Sequence, residues 1–279
     1  MFVPSWTTDS EQEGEWEKVM AGLFDKQAEV YAKARPTYPR ELYEKLAALT
    51  PGHTLAWDVG TGNGQAAIGV AQHYEQVIAT DVSESQLKHA MPHPRVQYIH
   101  TPLSLSDEEL VTTLGGENSI DLITVATAAH WFDLPMFYSL VDRLLRKPGG
   151  LVAVWTYQGF EVSPTFDPIL KRFTDTTMPY WKPNAQYVFD QYRTLPFPFE
   201  SVGLGSEGSP YMMELHKEIS FDGFMQLLKS VSAVTTAKEH GIDLLSEEVV
   251  KEFERAWGGP TLVRSVMCKL FMLTGRARI

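Results

Sequence analysis

The sequence predicts an α/β protein with a Rossmann-like, mostly parallel sheet that carries helices on both faces. From Leu55 onward, short strand-like runs alternate with helical stretches, which is the pattern of successive βαβ units. Runs such as "LITVA" lack polar alternation, so both faces of these strands are expected to be buried. A glycine-rich turn, "DVGTGNG", directly follows the first strand. Together these features predict an open sheet that binds a ligand at the carboxyl ends of its strands.

The first half of the chain supplies five predicted strands and the helices between them. The strands are "LAWDV", "QVIATD", "VQYIH", "IDLITVA" and "LVAVWTY", and the helices are "GQAAIGVAQHY", "SESQLKHAM", "SDEELVTTL" and "PMFYSLVDRLLRK". Ser83 and Gln86 stand at capping-box spacing, and "KPGG" ends the fourth helix. Upstream, residues 15–33 are predicted to form a helix, which Pro36 and Pro39 separate from a short helix "ELYEKLAAL".

The alternating pattern changes at about residue 158. Residues 159–210 are rich in proline and aromatic residues, and they are followed by a strand candidate "MMELHKEI", two helices and a closing strand "VRSVMCKLFML". We therefore expect a mobile leader over residues 1–14 and a core formed by residues 15–158 and 211–279. Residues 159–210 would form a cap insertion that lies over the strand ends and binds substrate.

Composition and charge exclude several classes of function. The chain has 279 residues, of which 44% are hydrophobic and 21% charged, as in ordinary globular proteins. Its net charge of -11, without a cluster of lysines and arginines, predicts no nucleic-acid partner. Cys268 is the single cysteine, which excludes an intrachain disulfide, and the histidines lack metal-ligand spacing, so no metal is expected. No secretory signal or membrane-spanning apolar run is visible, so we expect a cytoplasmic protein.

The glycine turn indicates the kind of ligand. Gly60, Gly62 and Gly64 permit positive φ angles and let a ligand approach the backbone, and the helix that follows presents free amides. The pattern is G-T-G-N-G and not the dinucleotide fingerprint G-x-G-x-x-G, which disfavours a nicotinamide oxidoreductase. Asp81 ends the second strand, where an acid accepts hydrogen bonds from a ribose diol. A nucleoside without phosphates fits this combination, and S-adenosylmethionine is the obvious one.

Three segments resemble the motifs of class I S-adenosylmethionine-dependent methyltransferases: "WDVGTGNGQ", "IATDVSESQL" and "ITVATAAHWFD". "VYAKARPTYP" and "HWFD" are similar to the small-molecule branch that contains trans-aconitate methyltransferase-like proteins, and "LRKPGG" with the insertion resembles its plant members. The resemblance covers about residues 20 to 279. It implies a seven-stranded sheet of order 3-2-1-4-5-7-6 with an antiparallel last strand, and S-adenosylmethionine as cofactor.

The resemblance also implies a cofactor site. Asp81 would bind the ribose hydroxyls, Val82 would pack on the adenine, and Asp58 would help to hold the amino group through the loop or a water. Tyr31 and Arg35 would reach the cofactor carboxylate, or alternatively only anchor the leader helix. The implied cofactor-binding residues are Tyr31, Arg35, Asp58, Gly60, Thr61, Gly62, Asp81, Val82, Ala126 and Thr127.

Candidate acceptor-site residues lie just after the fourth strand, on the fifth strand and in the insertion. His130 stands just after the fourth strand, where it could be a general base, a pocket residue or a structural residue. Aromatic faces could surround the sulfonium and its acceptor, or they could be the small core of the cap. These aromatic candidates are Trp131, Trp155, Tyr157, Tyr180 and Trp181.

The predicted activity is methyl transfer to a small molecule by in-line displacement, without a metal. Carboxyl O-methylation is favoured by family resemblance, with Arg172, Lys182 and Arg193 as the available cations. Methylation of a phenol oxygen, a nitrogen or a sulfur remains open. So does a non-catalytic cofactor-binding partner protein. We expect a monomer or a homodimer.

Overall fold

The computed structural model describes residues 37–277. Tyr31, Arg35, the expected leader and the helix expected over residues 15–33 lie outside the described residues. The strands of the described part are β1 (Leu55–Val59), β2 (Gln76–Asp81), β3 (Val96–His100), β4 (Leu122–Ala126), β5 (Leu151–Glu161), β6 (Glu200–Ser201), β7 (Tyr211–Ser220) and β8 (Val263–Arg276).

Ten α-helices accompany these strands in the described part. They are α1 (Arg40–Leu49), α2 (Gln65–Val70), α3 (Glu84–Lys88), α4 (Asp107–Thr113), α5 (Leu134–Leu144), α6 (Asp167–Thr177), α7 (Gln186–Phe189), α8 (Phe221–Lys229), α9 (Ser232–Glu239) and α10 (Glu247–Trp257). Single turns of 3₁₀ helix cover Ala129–Trp131, Met178–Tyr180 and Pro183–Ala185.

The strands form one mixed sheet of order β3-β2-β1-β4-β5-β8-β6, and β7 also pairs with β8. Strands β1 to β5 are parallel. Strand β8 runs antiparallel to β5, β6 and β7. The predicted order 3-2-1-4-5-7-6 is confirmed, because β8 and β7 take the last two places of that order. The sheet has one strand more than the seven predicted. The additional strand is β6, whose two residues are too few to show a strand pattern in the sequence.

Between β7 and β8 lie the three helices α8, α9 and α10, where the sequence analysis expected two. Helix α8 ends at Lys229, and α9 begins at Ser232. The amide of Ser230 donates to the carbonyls of Gln226 and Leu227, which closes the last turn of α8. Because only a short break separates the two helices, their combined apolar pattern reads as one helix.

Apolar side chains cover both faces of the sheet, as the strand composition predicts. On one face, Trp57 and Ile123 pack with Phe137 of α5. On the other face, Leu122 and alternate strand residues pack with helices α1 and α2. Successive residues of a strand point to opposite faces, so a strand buried on both sides must be apolar throughout.

A third apolar cluster joins α6 to α8 and α10 beside the outer strands. Its centre is Phe166, whose ring lies 5.2 Å from that of Phe224 and 5.3 Å from that of Trp257. This helical layer is not the contiguous insertion that we expected over residues 159–210. Strand β5 continues to Glu161, and the segment from Tyr192 to Phe199 packs in the core of the sheet instead. Contacts between distant segments form the layer, and no local pattern marks its limits.

Candidate functional site

The turn after β1 adopts a conformation that favours glycine. Gly60, Gly62 and Gly64 all have positive φ, at 63°, 57° and 87°. A Cβ at Gly64 would lie 2.1 Å from the hydroxyl of Tyr98, whereas a Cβ at Gly62 would meet nothing closer than Gln86 Oε1 at 3.8 Å. Gly64 is thus required by packing, and Gly62 presents bare backbone to an open space.

Asp81 ties the end of β2 to this turn. Its Oδ2 accepts a hydrogen bond from the amide of Gly62 at 2.7 Å, and its Oδ1 accepts one from the amide of Ser83 at 2.8 Å. Burial raises the pKa of Asp81, while the two amides act in the opposite direction. The carboxylate lies in the wall of a cleft beside the glycine turn. Because each oxygen can accept more than one hydrogen bond, a diol in the cleft would find acceptors there.

Asp58 lies beneath the turn and not in the wall of the cleft. Its side chain is fully buried, and its oxygens accept hydrogen bonds from the hydroxyls of Thr61 at 2.5 Å and Thr124 at 2.6 Å. Burial raises the pKa of Asp58 to about 6, against the opposing effect of the two hydroxyls. Any influence of Asp58 on a ligand therefore passes through Thr61 and the loop.

The structure brings most of the predicted cofactor-binding residues together around this cleft. Tyr31 and Arg35 lie outside the described residues, and Asp58 is set back from the cleft as described above. The predicted residues that line the cleft are Gly60, Thr61, Gly62, Asp81, Val82, Ala126 and Thr127.

Sequence reasoning missed Tyr38 and Asn63, which also line the cleft. The hydroxyl of Tyr38 lies 3.2 Å from that of Thr127, and its ring packs edge-on against Trp155 at 5.4 Å. Asn63 is 2% exposed, and its Nδ2 makes no hydrogen bond with any described residue. Both residues lie inside segments that carried the family resemblance, "ARPTYP" and "GTGNG". A bare backbone, an anchored carboxylate and an unused buried donor together fit the polar nucleoside and methionyl parts of S-adenosylmethionine.

A second cavity of about 470 Å³ adjoins the cleft. It lies between the 3₁₀ turn Ala129–Trp131, the end of β5 and helix α6. Thr127 and Trp131 belong to the walls of both spaces, so the cleft and the cavity meet at these two residues. The volume is within the range of about 300–1,000 Å³ that is typical of small-molecule sites.

Four of the predicted acceptor-site residues line this cavity, namely His130, Trp131, Tyr157 and Trp181. Trp155 and Tyr180 do not. Trp155 lies two residues before Tyr157 on the same face of β5, where the strand still pairs with β4, and it is fully buried there against Tyr38. Tyr180 lies instead near His240, with ring centroids 6.5 Å apart.

The cavity wall is largely apolar and contains few charges. Sequence reasoning missed the aromatic residues Phe160, Phe173 and Phe189, because their segments show no common pattern. Asp175 and Lys171 lie in the wall as an ion pair, with Nζ 3.1 Å from Oδ2.

The remaining charges do not add a free cation to the wall. Asp167 accepts hydrogen bonds from the amides of Val162 and Ser163. The three cations proposed from the sequence lie elsewhere, and Arg172 pairs with Glu252 at 2.5 Å. Among residues 37–277, the cation that lines the cavity is therefore already paired.

His130 is buried at the edge of the cavity. Its Nδ1 lies 3.1 Å from the hydroxyl of Tyr192, and its carbonyl accepts a hydrogen bond from Nδ2 of Asn184 at 2.7 Å. Burial lowers the pKa of His130 to about 3. The imidazole is therefore neutral at physiological pH and only a weak base.

Thr127 has an unusual backbone conformation at the junction of the two spaces. Its φ is +59°, which is rare for a β-branched residue. A hydrogen bond of 2.7 Å from its amide to the carbonyl of Trp155 helps to hold it there. Backbone strain of this kind is concentrated at ligand-binding and catalytic sites.

Residues 37–277 contain neither a cluster of metal-binding side chains nor a membrane-spanning helix. No group of three or more histidine, cysteine, aspartate or glutamate residues is arranged to hold a metal ion there. No helix of the described part is long and apolar enough to cross a membrane.

The strand order, the glycine turn and the anchored acid define an α/β enzyme of the methyltransferase class, and comparisons with known proteins agree. Residues 57–154 match the family model of the methyltransferase domain. A predicted methyltransferase of Dictyostelium discoideum is 33% identical over 209 residues, which cover 72% of this chain and 76% of that protein. The solved structure of a predicted type II methyltransferase from Anaeromyxobacter dehalogenans is 34% identical. It superposes with a TM-score of 0.73 over 87% of this chain and 98% of that chain.

A more distant relative is a Saccharomyces cerevisiae protein described as an S-adenosylmethionine-dependent methyltransferase. It is 27% identical over 135 residues, which cover 46% of this chain and 44% of that protein. The chain belongs to the class I S-adenosylmethionine-dependent methyltransferase family. It is an S-adenosylmethionine-dependent methyltransferase, and the cofactor prediction is confirmed.

Proposed function

We propose that this enzyme transfers the methyl group of S-adenosylmethionine to a small, largely apolar molecule bound in the 470 Å³ cavity. The observation that carries the proposal is the junction at Thr127 and Trp131, which line both the cleft and the cavity. A cofactor in the cleft and an acceptor in the cavity would meet there. The helical layer of α6 and α8 to α10 would cover the acceptor, in the role that we expected of a cap.

The protein would contribute mainly position and exclusion of water. S-adenosylmethionine supplies an electrophilic methyl group, and in-line displacement needs no covalent enzyme intermediate. The glycine turn and Asp81 would hold the nucleoside, while the aromatic walls of the cavity hold the acceptor. Alignment of two bound reactants can contribute about 7–11 kcal/mol to the lowering of a barrier.

For the acceptor atom, we favour a carboxylate oxygen. A carboxylate has a pKa of about 4 and is ionised at pH 7, so it needs no base. His130 stands between Thr127 and Trp131 in the chain and lines the cavity, but it has a pKa of about 3 and engages Tyr192 through Nδ1. Family resemblance also supports a carboxylate acceptor. "HWFD" is similar to trans-aconitate methyltransferase-like proteins, and "LRKPGG" resembles the plant members of that branch.

A second candidate is a phenol oxygen, and the charges of the cavity favour it. Lys171 is paired with Asp175, so the described wall offers no unpaired cation to a carboxylate. A neutral acceptor would lose less hydration on entering such a space than an anion. Nitrogen or sulfur acceptors and a non-catalytic partner role are further alternatives. As predicted from the sequence, we also propose a cytoplasmic location and a monomeric or homodimeric state.

An aromatic acid that also carries a phenol group separates the two oxygen acceptors in one reaction. The purified protein would be incubated with S-adenosylmethionine and 4-hydroxyphenylacetic acid, within a panel that includes amines and thiols. Formation of S-adenosylhomocysteine would be recorded with the mass of each methylated product. Mild alkali hydrolyses a methyl ester and leaves a methyl ether intact.

A product that alkali hydrolyses would support carboxyl methylation, and a resistant product would support the phenol. Cofactor binding would be measured first by calorimetry. Binding without any acceptor-dependent turnover across the panel would count against a small apolar acceptor and favour the non-catalytic alternative.

A further inference from the structure

We propose that Tyr192 is a positioning residue that selects the tautomer of His130. Its hydroxyl donates a hydrogen bond to Nδ1, so the ring hydrogen of His130 is carried by Nε2. His130 then offers a hydrogen-bond donor, and not a base, to an oxygen of the methyl acceptor. The second part of this proposal rests on the proposed function, whereas the tautomer itself does not.

The direction of the hydrogen bond follows from the chemistry of the two groups. The hydroxyl of Tyr192 lies 3.1 Å from Nδ1, and both side chains are buried. A phenol hydroxyl, with a pKa of about 10, is a better donor than the N–H of a neutral imidazole, and the bare imidazole nitrogen is a better acceptor than a phenol oxygen. Burial lowers the pKa of His130 and raises that of Tyr192, so each group stays neutral.

The backbone that carries Tyr192 is held in a rare conformation. Gln191 and Tyr192 are consecutive non-glycine residues with φ of 61° and 60°. The amide of Tyr192 donates to the carbonyl of Tyr187 at 2.8 Å, and its side chain is completely buried. Strained residues persist only where surrounding structure holds them, and they are concentrated at functional sites. Here the two left-handed residues turn the ring inward to His130.

His130 is also held from its other side. Asn184 donates to its carbonyl at 2.7 Å, and the amide of Trp131 donates to the carbonyl of Ala128 at 2.9 Å. The ring of His130 lines the cavity, and its Nε2 makes no hydrogen bond with residues 37–277. With Nδ1 engaged by Tyr192, Nε2 is the ring nitrogen available to a ligand.

This arrangement names a class of acceptor. An oxygen acceptor, whether carboxylate or phenolate, keeps a lone pair that can accept the Nε2 hydrogen while another lone pair attacks the methyl group. A neutral amine uses its one lone pair in the attack and presents only hydrogens to a donor. The pair of Tyr192 and His130 therefore favours acceptors that are already ionised and keep a spare lone pair, such as carboxylate or phenolate oxygens, over amines, and it orients them without removing a proton.

The tautomer can be observed directly, without turnover. The full-length protein would be labelled with ¹⁵N-histidine, and the His130 signals assigned by their loss in His130→Gln. At pH 7, we expect Nδ1 to resonate as an unprotonated nitrogen and Nε2 as a protonated one. In Tyr192→Phe this preference should be lost, whereas Tyr138→Phe should leave it intact. Tyr138 is a matched control, because its buried hydroxyl donates to the carbonyl of Pro196 in the same core.

Kinetics on an acceptor found by the panel test the role in methyl transfer. We expect Tyr192→Phe to lower kcat about tenfold, the equivalent of one hydrogen bond, with cofactor affinity unchanged. His130→Gln, whose amide nitrogen can replace Nε2, should retain more activity than His130→Asn, whose amide replaces Nδ1. Equal activity of these two variants would overturn the donor role. A hydrogen found on Nδ1 of the wild type would overturn the tautomer assignment, whether or not any acceptor is methylated.

Discussion

Replacement of Asp81 by alanine tests whether the acid at the end of β2 binds the cofactor. The carboxylate accepts hydrogen bonds from the amides of Gly62 and Ser83 at 2.7 and 2.8 Å, and it lies in the wall of the cleft. Asp81→Ala removes the acceptors that a ribose diol would use and also releases the glycine turn. The substitution should therefore affect both cofactor affinity and stability.

The two effects have different magnitudes. A hydrogen bond to a charged group contributes about 1.5–3 kcal/mol, so the dissociation constant for S-adenosylmethionine should rise about 10- to 150-fold. Each of the two amides loses a protein acceptor, which costs about 1 kcal/mol where water can replace it. Because the cleft is open to solvent, the free energy of unfolding should fall by about 1–2 kcal/mol.

Asp121→Ala is the matched control. Asp121 is a buried carboxylate at the amino ends of the strands, where it accepts hydrogen bonds from the amides of Thr54 at 2.8 Å and Leu55 at 3.1 Å and also pairs with Arg146. It should therefore lower stability without changing cofactor affinity. Calorimetric titration and urea unfolding would be measured on both variants. An unchanged affinity in folded Asp81→Ala, or an equal loss of affinity in Asp121→Ala, would refute the assignment of Asp81.

Three further predictions concern the glycine turn and the buried ionisable groups. Gly62→Ala has room for its Cβ, so it should lose only about 1–2 kcal/mol of stability from its left-handed backbone, but it should weaken cofactor binding. Gly64→Ala should unfold more easily, because its Cβ meets Tyr98. Thermal melts compare the stability of the two variants, and calorimetry compares their cofactor affinity. Burial raises the pKa of Asp58 to about 6 from 3.8, so between these values the native state binds a proton that the unfolded state has released. This lowers the free energy of unfolding by about 2 kcal/mol as the pH rises from 4 to 7. Urea unfolding of Asp58→Asn should lack that component, and an unaltered pH dependence would argue against a shifted pKa. Because burial lowers the pKa of His130 to about 3, kcat should show no inflection from this residue between pH 5 and 8, and an inflection near 6.5 that disappears in His130→Gln would contradict it.

Local chemistry accounts for what the sequence predicted well. The glycines after β1 and the acid at the end of β2 are visible because a turn with positive φ and an acid after an apolar run need particular residues at particular spacings. The parallel order of β1 to β5 is visible because strands and helices alternate along the chain. The predicted residues on this path, from Gly60 to Thr127, accordingly lie together around the cleft.

Other features were hidden because they depend on where along a strand the packed core ends and the cavity begins. Trp155 and Tyr157 lie on the same face of β5 and are equally aromatic, yet Tyr157, beyond the last pair with β4, lines the cavity, whereas Trp155 packs against Tyr38. The chain does not show where a strand leaves the core and its side chains begin to face a cavity.

The sequence by itself determined the class of fold, the position of the glycine-lined cleft and the family, because backbone conformation and strand pattern are encoded within a few consecutive residues. Only the tertiary structure decided what His130 can do. Its partner Tyr192 lies 62 residues away in the chain, and their contact forms through the packing of the segment after α7. Burial then determines the pKa of the imidazole, and burial is a property of the folded core that no local run of residues records.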